Sequence, residues 1–235
     1  MSEKLVPTQA TLEVSDEAES RAFLQAELDK AEAKLNAFTE DGDAVAHARL
    51  LLDRANALLG LEKNEAAWND ARAAFTAFSE QEAWAECIEA CDILYQTDQP
   101  GSIKALAHGV WLSITYPVDA EHSIVMLSYI VDETPADSDG GAVAAAVAHY
   151  VVGIRAEEDK HDSLSFLTTN LIAKVAQRHG NVDSQEKLDF WLEKMELTDP
   201  QIFLPRMGKV LDVIVGDESN WWLNREELRQ RLPLN

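Results

Sequence analysis

Apolar residues recur at intervals of three or four along most of this chain, which is the spacing that aligns side chains on one face of an α-helix. An example near the N-terminus comprises Phe23, Leu24, Leu28, Ala31, Leu35 and Phe38. Two apolar runs, residues 124–131 and 150–154, have the composition of strands, but each lies inside a longer helical pattern without a flanking hairpin turn. The pattern predicts an all-α fold of about ten or eleven helices.

Helix boundaries are also predicted from the sequence. Ser79 with Glu82 three residues later forms a capping box, which is expected to open the fourth helix. Gly60 is expected to end the second helix, because glycine is the residue most often found just beyond a helix. Asn224 with Glu227 forms another capping pattern and is expected to open the last helix.

The helices are joined by short connections, which make successive helices antiparallel neighbours in a bundle or an α-solenoid. Residues 1–14 are expected to be a flexible tail, and residues 15–133 a region of helical hairpins. The stretch 134–141 is rich in turn-forming residues and is the best candidate for a boundary. Residues 142–235 are then a C-terminal helical region, which we expect to pack on the first as one domain.

The segment 51–74 resembles one unit of the tetratricopeptide repeat family. The positions that carry the resemblance are Leu51, Ala55 and Leu58 in the first helix and Ala67, Ala71 and Ala74 in the second. Alanine at such crossings lets two helices approach closely, whereas the tyrosine and the closing proline of the family pattern are missing here. The resemblance covers about one unit, although such proteins stack three or more. It implies a solenoid-like N-terminal region with a concave protein-binding surface.

The chain is strongly acidic, with 42 Asp and Glu residues against 20 Lys and Arg residues and a net charge of −22. Such a surface repels phosphate backbones and anionic lipid headgroups, so we expect neither a nucleic-acid partner nor a membrane partner. It attracts basic proteins and speeds their encounter. A partner with a basic surface is therefore favoured, although the charge could serve solubility alone.

The sequence also bears on the compartment. Residues 1–12 contain Glu3, Lys4 and Pro7 and no apolar core, which is unlike a signal peptide. The longest apolar stretches, 124–127 and 142–148, are much shorter than the roughly 20 residues that span a bilayer. A cytoplasmic location is the resulting expectation, and two cysteines exclude a disulfide framework.

Chemistry-bearing residues are few, and none is assigned a catalytic, cofactor-binding or metal-binding role. Cys87 and Cys91 share a helix face and would supply only half of a zinc site, so packing is the favoured interpretation. Glu158 and His161 form a single Glu-x-x-His pair, where helical di-iron sites use two. His149 lies in an apolar helix, as structural histidines often do. No phosphate loop, nucleophile elbow or zincin motif occurs, which favours a non-catalytic protein.

The C-terminal end is the preferred candidate for a protein-binding surface. Trp221 and Trp222 lie in an apparent loop, and tryptophan is favoured at the centres of interfaces. Arg225 and Arg229 follow on the last helix, where the acidic excess of the chain ends. The alternative is that both indoles cover the ends of the last helices.

These observations predict a non-catalytic scaffold, adaptor or assembly chaperone that binds another protein through a helical surface. One alternative is a helical-bundle metal-binding protein or enzyme that uses Glu and His from facing helices. A second is an acidic inhibitor that mimics nucleic acid. Self-association through the apolar segment 202–204 is left open.

Overall fold

The computed structural model describes residues 9–39 and 43–232, and within them the fold is all-α. The helices are α1 Gln9–Ala37, α2 Ala44–Gly60, α3 Asn64–Glu80, α4 Trp84–Gln96, α5 Ser102–Thr115, α6 Ala120–Glu133, α7 Asp139–Arg155, α8 Glu158–Gly180, α9 Gln185–Lys194, α10 Pro200–Val215 and α11 Arg225–Gln230. A 3₁₀ turn, Glu218–Asn220, lies between the last two. The prediction of an all-α fold with ten or eleven helices is therefore confirmed.

The two runs with strand-like composition are helical, because residues 124–131 lie in α6 and residues 150–154 lie in α7. Of the predicted tail, residues 1–8 lie outside the described residues, and α1 begins at Gln9. None of the described helices combines the length and the apolar character that a bilayer-spanning segment requires.

Successive helices pack as antiparallel pairs and form two rows. In the front row, α2 packs against α4, α4 against α6, and α6 against α8. The back row consists of α3, α5 and α7, and α10 crosses it by packing on both α5 and α7. One continuous cluster of buried side chains runs from Ala48 in α2 to Leu228 in α11. The residues on either side of the connection at 134–138 thus share one core.

Small residues set the distances between neighbouring helices. Ala55 in α2 and Ala71 and Ala74 in α3 are fully buried where these two helices cross. Gly109 in α5 leaves room for Met126, since a Cβ atom at this glycine would lie 2.3 Å from the Met126 Cε atom. The alanine-rich segment with the tetratricopeptide-like pattern therefore forms a closely packed helical hairpin.

Partly buried arginines join helices that are not consecutive in the chain. Arg155, at the end of α7, donates hydrogen bonds to the carbonyl oxygens of Ser113 and Ile114 at the end of α5. Arg178 in α8 donates to the carbonyl oxygen of Val131 in α6 at 2.6 Å. Carbonyl groups in the last turn of a helix have no partner within the helix, and a cation there complements the helix dipole. These contacts tie α7 and α8 to the helices two positions earlier.

Helix α2 ends at Gly60, as predicted, whereas the start predicted for the fourth helix is wrong. Ser79 lies within α3, which ends at Glu80, and α4 begins at Trp84. Just beyond the ends of α2 and α3, Glu62 and Glu82 adopt the left-handed conformation, with φ angles of 61° and 55°. The amide of Lys63 donates to Leu58, and that of Glu62 to Leu59, as in a Schellman motif. Glutamate thus occupies positions where glycine is usual, which hid the end of α3.

Replacement of Glu62 by glycine is expected to raise the free energy of unfolding by about 0.5–1 kcal/mol, because an L-residue in the left-handed region carries a steric cost. Urea denaturation followed by circular dichroism would measure the change. The matched control is Glu65→Gly, three residues later in the first turn of α3, which should lower stability by about 1 kcal/mol. Destabilisation by both substitutions would contradict the assignment of strain to Glu62.

Candidate functional site

A groove of about 450 Å³ opens on the front row, between α2, α4 and α6. We call it the front groove. Its lining residues are Arg49, Leu52, Asp53, Asn56, Ile88, Glu89, Asp92, Ile93, Glu121, His122, Val125 and Met126. Within each helix these positions recur three or four residues apart, with adjacent pairs between them, so each helix turns one face toward the groove. The groove therefore follows from the packing of three consecutive helical pairs.

The floor of the groove is apolar. Leu52, Ile88 and Met126 are at least 97% buried, and they belong to three different helices. Val125 is 40% exposed and remains open to a ligand. An apolar side chain that entered the groove would thus meet aliphatic surface from α6.

The walls of the groove carry both free and paired charges. Arg49 forms ion pairs with Glu89 and, at 3.3 Å, with Glu86, so both carboxylates already share one cation. Glu121 pairs with Lys160 at 3.2 Å. Asp53 and Asp92 form no ion pair with any of the described basic residues.

The two remaining carboxylates favour a cationic ligand. Asp53 is exposed on α2, and Asp92 is half-buried on α4, where it accepts a hydrogen bond from Gln96 at 2.8 Å. Lysine and arginine combine an apolar stem with a charged tip. Such a side chain could place its stem on Val125 and its tip near a carboxylate. The groove is thus suited to basic and apolar side chains on one segment.

Residues with catalytic or metal-binding potential lie apart from one another. Among residues 9–39 and 43–232, no three His, Cys, Asp or Glu side chains are arranged to hold a metal ion. Cys87 and Cys91 are buried, and burial raises the pKa of the Cys87 thiol to about 12, with a smaller contribution from Glu86. His149 lies 2.9 Å from the hydroxyl of Thr168. Each of these groups is accounted for by packing or hydrogen bonding.

The structure places the predicted C-terminal site residues in different environments. Trp221 and Arg225 are only 7% and 5% exposed, Trp222 is half-buried, and Arg229 is exposed. Both indoles contact the ring of His108, at centroid distances of 4.7 and 4.3 Å. Trp221 lies outside any helix, and the two adjacent indoles contact one buried histidine ring from the segment that follows α10. The pair is therefore not an exposed surface, and of the four residues only Arg229 is fully accessible to a partner.

Sequence reasoning missed the residues of the front groove. Their signal is the recurrence of Asp and Glu beside aliphatic residues at helical spacing, in the first helix of each of three successive pairs. This pattern resembles an ordinary solvated helix face, so it becomes informative only when the three helices are placed side by side.

No known protein family, curated protein or solved structure was found to match the chain.

Proposed function

We propose that this protein is a non-catalytic scaffold or adaptor, and that it binds a basic segment of another protein in the front groove. The observation that carries the proposal is the composition of the groove. Aliphatic side chains form its floor, and Asp53 and Asp92 contribute negative charge without forming an ion pair with a base in the described part of the chain. Apolar contact supplies affinity, and complementary charge supplies orientation and a fast encounter.

The tetratricopeptide-like hairpin supports this proposal. The pattern at 51–74 falls on α2 and α3, and Ala55, Ala67 and Ala71 are fully buried there. A stack of such pairs presents its first helices on one side, which is the side that forms the front groove. The metal-binding alternative lacks a comparable cluster of ligands in the described part of the chain.

The test uses a fluorescein-labelled twelve-residue peptide of alternating leucine and lysine, and a second peptide in which glutamate replaces lysine. Fluorescence anisotropy would follow the binding of each peptide to the full chain at low and at moderate salt. We expect the basic peptide to bind and the acidic peptide not to bind. The double substitution Asp53→Asn and Asp92→Asn should weaken binding by about tenfold, which corresponds to two partly exposed ion pairs.

The matched control removes two carboxylates that do not line the groove, through Glu65→Gln and Glu193→Gln. This variant has the same net charge as the groove variant, so it should retain most of the affinity. An equal loss in both variants would show attraction to the overall charge rather than binding in the groove. Absence of binding to the basic peptide would contradict the proposed function.

A further inference from the structure

The C-terminal strap, residues 216–232, follows α10 and packs on the back row. It begins at Gly216, whose φ of 79° and ψ of −127° are accessible to glycine but strained for other residues. The strap contains only a three-residue 3₁₀ turn and the six-residue α11. Helices this short are not stable alone, so the order of the strap depends on its contacts with the back row.

One buried histidine holds the centre of the strap. His108, on α5, is fully buried, and its Nε2 atom accepts a hydrogen bond from the backbone amide of Trp222 at 2.8 Å. Because Nε2 accepts, the proton of the neutral ring is on Nδ1, which donates to the carbonyl oxygen of Lys104 at 2.6 Å. Both ring nitrogens are therefore used, and only the neutral imidazole fits this arrangement.

Aromatic and cationic groups surround this hydrogen bond. Trp222 stacks on His108 and meets the edge of Phe75 on α3, with centroids 5.2 Å apart. The Arg72 guanidinium lies 4.0 Å from the ring centre of Trp222, and that of Arg225 lies 3.7 Å from Trp221. The charged side chains that act most strongly on His108 are Arg72, Arg225 and Lys104, and all three are positive.

Two carboxylates lie in this region, and both form ion pairs with Arg225. Asp212 at the end of α10 accepts a hydrogen bond from Arg225 at 2.8 Å, and Glu218 in the strap forms a second ion pair with it. No acidic side chain among the described residues forms an ion pair with His108. A proton on this ring would therefore have no counter-charge.

We propose that the strap is a detachable cover of the back row, and that protonation of His108 releases it. A proton on Nε2 would face the amide N–H of Trp222, so a hydrogen bond would be replaced by two opposed donors. The charge would also lie near Arg72, Arg225 and Lys104. Release of the strap relieves both effects and uncovers the aromatic surface around Phe75. The pH-dependent release of the strap is separate from the front groove, and it does not depend on the function proposed for that groove.

The direction of the pH dependence follows from the burial of the ring. Burial, with Arg72 and Arg225 nearby, lowers the pKa of His108 to about 4. An accessible histidine titrates at about 6.5. The docked strap therefore binds the proton more weakly than the released strap does. Docking is strongest above about pH 6.5 and weakens by up to about tenfold per pH unit below it.

The experiment follows the full chain from pH 7.5 to 4.5. Tryptophan emission reports the environment of all six tryptophans, which include Trp221 and Trp222, and binding of the dye ANS reports newly exposed apolar surface. Far-UV circular dichroism reports the helices. We expect a red shift and dye binding to develop below about pH 6 while nearly all of the helical signal remains. Loss of the helical signal in parallel with the fluorescence change would overturn the proposal, because the whole fold would then be opening.

Two variants and one control test whether the pH-dependent change arises from His108 and from release of the strap. His108→Gln retains hydrogen-bonding groups but cannot titrate, so its fluorescence should not change between pH 7 and 5. His161→Gln, at an exposed histidine on α8, should behave as the parent protein. Gly216→Ala strains the start of the strap, so its release should begin at a higher pH. The proposal would be contradicted if fluorescence of His108→Gln changed with pH as in the parent protein. It would also be contradicted if Gly216→Ala left the pH midpoint of the change where it was.

Discussion

Replacement of Gly109 by valine is expected to lower the free energy of unfolding by about 3 kcal/mol, the upper part of the range for overpacked cores. Even a single Cβ atom at this position would lie 2.3 Å from Met126 Cε and 2.8 Å from Cys91 Cβ. Cys91 and Met126 belong to α4 and α6, which flank α5, and both are buried. The added atoms would therefore push both front-row helices away from α5.

Urea denaturation followed by circular dichroism would measure this change. The control is Gly153→Ala on α7, where a Cβ atom meets no atom within 4 Å. This substitution should raise stability by about 0.5–1 kcal/mol, because alanine loses less backbone entropy than glycine in a helix. Equal stability of Gly109→Val and the parent protein would show that α5 does not approach its neighbours this closely.

The second large effect is expected at Phe75, where truncation to alanine should cost about 3–5 kcal/mol. Phe75 is 1% exposed and contacts His108 and Trp222, so it joins α3 to α5 and to the C-terminal strap. Its loss would leave a cavity beneath the strap. We also expect redder tryptophan emission at neutral pH, because Trp222 loses its neighbour.

The matched control is Phe166→Ala on α8, since Phe166 is 68% exposed. It should change the free energy of unfolding by less than about 0.5 kcal/mol, as is usual at the surface. Both variants would be compared by urea denaturation under the same conditions. A similar small effect at Phe75 would mean that the strap and the back row do not share a packed core.

The sequence was most informative where the cause of a structure is local. Spacing of apolar residues predicted the all-α fold. The cap predicted at Asn224 is also present, since its side chain accepts from the amide of Glu227. The sequence was misleading at Ser79, because residue preferences at helix ends are statistical and Glu82 adopts the turn geometry instead.

The candidate sites depended on residues that are far apart in the chain. The front groove requires Asp53 and Asp92 on helices that become neighbours only when the pairs stack. His108 and Trp222 are 114 positions apart, and their hydrogen bond gives the strap its titrating contact. Burial of Trp221, which the sequence left open between an interface and a covered helix end, has the same origin.

The sequence by itself thus determined the helices, their approximate number and the acidic character of the surface. These properties depend on the periodicity of apolar residues and on composition, both of which can be seen in short segments of the sequence. Only the tertiary structure decided which helix faces form a groove and which are covered by the C-terminal strap. Those outcomes depend on contacts between distant segments, whose free energies no local pattern records.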